Sequence, residues 1–167
     1  MKFRLLSFEE LQSLDKEFMG FLSKRSIAPE EWAHIRIKKQ ERALELIEAF
    51  SEQVFDQVLT KVEYLELREE KKYRQLYFKD NTYIEVGLTA DPKTDMDFRD
   101  PEQLKDFINS VQKSLAAKLS VFRKEEKYEK TRNEEVFIYV EAGAKRSDEK
   151  SFGLMEMLYK ESRAIQN

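Results

Sequence analysis

The stretch Lys61-Val62-Glu63-Tyr64-Leu65-Glu66-Leu67-Arg68, followed by Tyr73-Arg74-Gln75-Leu76-Tyr77-Phe78-Lys79 and Thr82-Tyr83-Ile84-Glu85-Val86-Gly87-Leu88-Thr89, decides the fold. Its apolar and polar residues alternate, it holds one glycine and no proline, and β-branched and aromatic residues are dense in it. That pattern predicts three strands, about 62–68, 73–79 and 82–89, joined as an antiparallel meander. The second turn can be chosen by matching faces. A two-residue Asp80-Asn81 loop sets Leu76 opposite Glu85, which mixes apolar with charged. A three-residue Lys79-Asp80-Asn81 loop sets Leu76 opposite Ile84 and asks Asn81 to be left-handed, which Asn tolerates. A one-residue slip turns a whole apolar face to water, so the three-residue loop is expected. One face then carries Leu65, Leu67, Leu76, Phe78, Ile84, Val86 and Leu88. The other carries Tyr64, Glu66, Arg68, Tyr73, Gln75, Tyr77, Tyr83 and Glu85.

Upstream, Ser7 followed by Glu10 is a capping box, and Phe8, Leu11, Leu14, Phe18, Phe21 and Leu22 recur at helical spacing, so a helix is expected over about 8–24. Pro29 with Glu30 and Glu31 suits the first turn of a short second helix, with Trp32, Ile35 and Ile37 on its apolar side. A third helix should run about 40–61 on Leu44, Ile47, Phe50, Val54, Val58 and Val62. Downstream, Asp100-Pro101 opens a helix of about 101–124 on the stripe Leu104, Phe107, Ile108, Val111, Leu115, Leu119 and Phe122. Residues 123–135 are dominated by charge and read as a fraying end and linker. Val136-Phe137-Ile138-Tyr139-Val140 suits a fourth short strand ended by Gly143. Ser147 or Asp148 caps a last helix of about 149–163.

The expected architecture is one α+β domain over 1–167: a three-stranded antiparallel meander with a fourth short strand, about three helices before it and about two after. The helices at 40–61 and 101–124 should pack on the Leu65/Leu76/Ile84 face. The chain has 167 residues, 41% of them hydrophobic, enough for a core without disulfide or metal. Charged residues are 38% yet nearly cancel, to a net −3, which argues against a generally basic nucleic-acid binder. There is no cysteine and a single histidine, so thiolate catalysis, Cys-type zinc or Fe–S sites and HExxH metal sites are excluded. No run approaches the ~18 apolar residues of a membrane helix, and the N-terminal stretch lacks the apolar core of a signal peptide. A cytoplasmic protein with no membrane contact is expected.

Two stretches, Met1-Lys2-Phe3-Arg4-Leu5-Leu6-Ser7 leading into Glu9-Glu10-Leu11, and Lys61 to Arg68 running on to Ile84-Glu85-Val86-Gly87-Leu88, resemble a family of small bacterial proteins, mainly from Bacteroidetes, with no assigned function. The resemblance runs over most of the chain. It implies a bacterial origin and carries no chemistry.

Four of the seven tyrosines fall on the second sheet face. Tyrosine offers contact area with a polar tip, so Tyr64, Glu66, Arg68, Tyr73, Tyr77, Tyr83 and Glu85 are the candidate partner-binding residues, with Tyr73 and Tyr77 partly accessible at their centre. The plainer reading is ordinary cross-strand pairing. Base stacking on such a face would suit a nucleic-acid partner, but no ribonucleoprotein motif is present. Asp91, Asp95, Asp97 and Asp100 could gather around Mg²⁺ or Ca²⁺, but their spacing misses the EF-hand, and a turn with Asp100 as helix cap suffices. Glu63, Glu66 and Glu85 evoke paired-carboxylate chemistry with nothing to complete it. His34 stands without a catalytic partner set. The expectation is a non-catalytic module that binds a protein partner or self-associates, with no cofactor and no metal. The alternatives are a carboxylate and divalent-metal enzyme, or a nucleic-acid-associated protein using the aromatic face.

Overall fold

The computed structural model describes residues 1–108 and 111–166. The chain divides into two compact units, 1–60 and 61–167.

The first unit is helical. α1 (Phe8–Ser13) opens on the capping box: Glu10 N–H donates to Ser7 Oγ at 3.1 Å, and Ser7 N–H donates to Glu10 Oε2 at 2.8 Å. Arg4 adds a two-pronged pair to the same carboxylate, and those bonds hold Glu10 down to about 2. The expected 8–24 helix is interrupted: Leu14 leaves helical geometry and α2 (Asp15–Ser23) follows. α3 (Pro29–Lys38) begins on its proline, and α4 (Gln40–Thr60) follows a break at Lys39. Phe18 meets Trp32 edge-on, with ring centroids 5.0 Å apart, and packs on Phe21 and Phe50. Leu6, Leu22, Ile27, Ile35, Ala43 and Leu46 complete this core. Ile37, Leu44 and Val58 are exposed, contrary to the expected stripes. Of the expected α4 stripe, Phe50 is buried and Ile47 and Val54 pack half-buried on this core, while Ala43, Leu46 and Leu59 are the other buried apolar residues of the helix.

The second unit holds a five-stranded antiparallel sheet. β1 (Tyr64–Arg68), β2 (Lys72–Phe78) and β3 (Thr82–Thr89) form the expected meander. The remaining chain departs from expectation. The single 101–124 helix is replaced by α5 (Pro101–Ile108), α6 (Val111–Ala116) and an edge strand, β4 (Ser120–Lys127), paired along β3. Asn109 and Ser110, and the side chains of Val111 and Leu115, lie outside the described residues. Lys118 is left-handed, at φ 58, where the helical path gives way to strand. The charged run at 123–127 is the solvent-facing edge, where a row of Lys and Glu discourages further pairing. Val136 to Val140 is helical, not a strand. It lies in α7 (Arg132–Glu141), opened by a Thr131/Glu134 capping box. β5 (Lys145–Arg146) borders β1, giving the order β4-β3-β2-β1-β5, and α8 (Glu149–Gln166) closes the unit, capped by Asp148 at 2.7 Å from Ser151 N.

The turn between β2 and β3 is the rejected one. Tyr77 stands opposite Ile84, Leu76 opposite Glu85 and Phe78 opposite Tyr83, and Lys79 N–H donates to Thr82 O at 2.9 Å around Asp80-Asn81. Asn81 is not left-handed. Face matching failed because β3 is buried on both sides, from Tyr83 through Leu88. A doubly buried strand is apolar throughout and carries no alternation to match. Helices accordingly lie on both faces of the sheet, not one. α8 and α5 cover Tyr73, Ile84, Val86 and Leu88 through Phe152, Met155, Leu158 and Leu104. On the opposite face, Tyr139 of α7 packs on Phe78 and Tyr83.

Candidate functional site

The register redistributes the seven candidate residues. Side chains of directly opposed residues share a face, so Tyr64, Glu66, Arg68, Tyr73 and Tyr77 lie on the α8 side with Ile84 and Val86, while Tyr83 and Glu85 lie on the α7 side with Leu76 and Phe78. Tyr64 and Tyr77 stack at 4.6 Å, and the Phe152 ring sits 5.7 Å from each. They are part of the α8 packing. Tyr73 is 2% exposed, contrary to the expected partial accessibility, whereas Tyr77 is only half-buried. Tyr83 is sandwiched among Phe78, Tyr128 and Tyr139, and burial pushes its hydroxyl pKa well up. Glu66 and Glu85 do not form a carboxylate pair, because the sheet separates them.

Three of the seven converge on one place. Glu66, Arg68 and Tyr73 line a cleft at the end of the α8 face. In one lobe, of about 380 Å³, Glu66 and Arg68 meet Arg99, Pro101, Gly143 and Lys145. The adjoining lobe, of about 240 Å³, shares Glu66, Arg68 and Pro101 and adds Tyr73, Leu104, Lys105, Ile108, Ser151 and Leu154.

A chain of polar contacts fixes the wall. The Ser147 hydroxyl donates to Gln75 Oε1 at 2.6 Å, and Gln75 Nε2 donates to the Tyr73 hydroxyl at 2.6 Å. Gln75 Nε2 and the Tyr73 hydroxyl both lie 3.3 Å from Glu66 Oε2. Arg68 Nη2 holds the other oxygen at 3.2 Å. Gln75 is fully buried, and such a side chain is stable only because each polar end is answered. Burial raises the Tyr73 hydroxyl to about 12, against the lowering effect of the Gln75 bond, so it stays protonated at neutral pH.

The opposite rim comes from the segment before α5. Lys71 Nζ donates to the Thr94 and Met96 carbonyls, Phe98 N–H bonds to Glu70 O at 3.0 Å, and the Phe98 side chain is fully buried. Asp91 closes its own turn, Asp97 pairs with Arg99 through two contacts of 2.9 and 2.8 Å, and Asp100 caps α5 through Glu102 N. The Arg99 bonds hold Asp97 down to about 2. These carboxylates therefore serve the loop itself. Among the described residues, no three His, Asp or Glu side chains gather where they could hold a metal ion. Nor is any described helix long and apolar enough to cross a membrane.

Sequence reading missed the rest of the cleft. Asp100-Pro101 marked the start of α5, but nothing in the pattern placed that start beside β1. Lys145 reached the site through a two-residue strand too short to carry any periodicity. The family model for DUF6495, a family of unknown function, matches residues 1–160, and the chain belongs to that family. No curated protein and no solved structure matches it.

Proposed function

We propose that the protein is a non-catalytic binding module whose binding site is the cleft walled by Glu66, Arg68 and Tyr73. The observation that supports this most is the Ser147–Gln75–Tyr73–Glu66–Arg68 chain, anchored on the buried Gln75 and Tyr73, which holds the cleft wall in one geometry before any ligand arrives. Rigid polar groups beside a partly apolar hollow are what a specific site needs. Catalysis would require a nucleophile or a base able to move protons. Glu66 has both oxygens engaged, and Tyr73 is protonated at neutral pH.

Leu154 lines the apolar lobe and is 38% exposed, so Leu154→Arg should fill that lobe at little cost to folding. A fragment library screened by ligand-observed NMR should give hits on the wild type that disappear in Leu154→Arg, at an unchanged melting temperature. Hits that persist in the variant would place binding elsewhere and remove this reading.

A further inference from the structure

We infer that the cleft takes an organic oxyanion carrying an apolar arm, its carboxylate or phosphate head between Arg68 and Lys145 and its hydrocarbon arm along Leu104, Ile108 and Leu154. The inference rests on the cleft being the binding site and adds the class of ligand. Three observations carry it.

The first is charge. Arg68, Arg99, Lys105 and Lys145 line the two lobes against a single carboxylate, Glu66. Arg99 is neutralised by Asp97 and Arg68 is paired with Glu66, whereas Lys105 and Lys145 form no ion pair with any described residue. A surplus of two positive charges therefore faces the hollow. The second is the state of the groups that could bind. Glu66 already meets Arg68, Tyr73 and Gln75, so the charge of the one carboxylate lining the lobes is engaged within the protein. Arg68 meets Glu66 through Nη2 alone and its side chain is 34% exposed, so its guanidinium is only partly used by the protein. A planar guanidinium with spare donors suits a carboxylate or phosphate. The third is polarity along the cleft. The lobe between Arg68 and Lys145 is lined mostly by charged side chains, while its neighbour, which shares Glu66 and Arg68 and carries Lys105, adds Leu104, Ile108 and a Leu154 side chain left partly in water. An arm covering Leu154 removes apolar surface from water.

Calorimetric titration at low salt tests this with four probes, each below its micelle threshold: octanoate, octyl phosphate, acetate and octylammonium. Octanoate or octyl phosphate should bind saturably, one per chain, and the tighter of the two identifies the head. Acetate should bind more weakly than octanoate, and octylammonium not at all. Lys145→Glu and, independently, Lys105→Glu change exposed side chains and should keep the melting temperature. Lys145→Glu should weaken the anion by about tenfold or more. Leu154→Asp should erase the advantage of octanoate over acetate. Equal binding of octylammonium, or an affinity untouched by both lysine reversals, would overturn the inference. If neither anion binds while neutral or cationic fragments still enter the cleft, the ligand class is wrong and the binding site stands. If nothing enters the cleft, both fail.

Discussion

A carboxylate 1% exposed, as Glu85 is, must be held by opposite charge. Lys124 Nζ stands 3.2 Å from it, Arg74 Nη1 3.5 Å and Lys72 Nζ 3.7 Å. Each cation is shared. Arg74 also meets Glu69, Lys124 also meets Glu126, and Lys72 lies 5.2 Å over the Phe122 ring. Glu85→Gln would leave these cations facing a neutral amide, and a loss of about 2 kcal/mol in urea unfolding is expected, because charge-assisted contacts are replaced by neutral ones. A loss under about 0.5 kcal/mol, the size of a surface change, would show that the cluster is not coupled to the fold. Two positions along β3, Gly87 is required for another reason. A Cβ there would lie 2.0 Å from the Tyr73 carbonyl oxygen and 2.9 Å from the Phe122 ring. Backbone cannot yield cheaply, so Gly87→Ala should cost about 3 kcal/mol. A variant as stable as wild type would mean that β2, β3 and β4 are not packed as described.

Elements were legible in the sequence where their signals are local. Ser7-x-x-Glu10, Asp100-Pro101 and Asp148 each mark a helix start found in the structure, because a cap is a bond between near neighbours. Thr131-x-x-Glu134 is the same signal, and it opens α7. The β-branched run Val136 to Val140 masked it. On a helix those residues divide between a buried Val136 and exposed Ile138 and Val140, an outcome that needs the sheet to be in place first. Thr131→Ala should therefore destabilise the protein by about 1 kcal/mol and lower its helical circular dichroism near the transition. No change would indicate that α7 is held by packing alone. β4 was illegible for the opposite reason. An edge strand needs few apolar residues, and Arg123 to Lys127 read as linker until a partner strand is supplied. The β2–β3 register misled because alternation reports a face only where one side meets water. Glu66, Arg68 and Tyr73 could be grouped from spacing along β1 and β2. Arg99, Lys105, Lys145 and Leu154 could not, since they come from separate elements brought together by tertiary packing.

At the scale of the whole molecule, the chain is two compact units, and the cleft belongs to the second. Every wall of the cleft is made within residues 61–167: the polar chain from β1, β2 and the β5–α8 link, the rim from α5 and the loop before it, the apolar floor from α5 and α8. The opposite sheet face carries a charge cluster whose members pair with one another, and Asp91, Asp97 and Asp100 are spent on the turns of their own loop. Among the described residues, the cleft combines a preset polar wall, surplus positive charge and unburied apolar surface. An amide-resolved NMR titration of the ¹⁵N-labelled full chain with octanoate tests that most directly. Saturable shifts are expected, concentrated at Glu66 to Arg68, Arg99 to Lys105, Gly143 to Ser147 and Ser151 to Leu154. Shifts centred instead on Tyr83, Glu85 and Lys124, or in residues 1–60, or spread without saturation, would contradict this expectation.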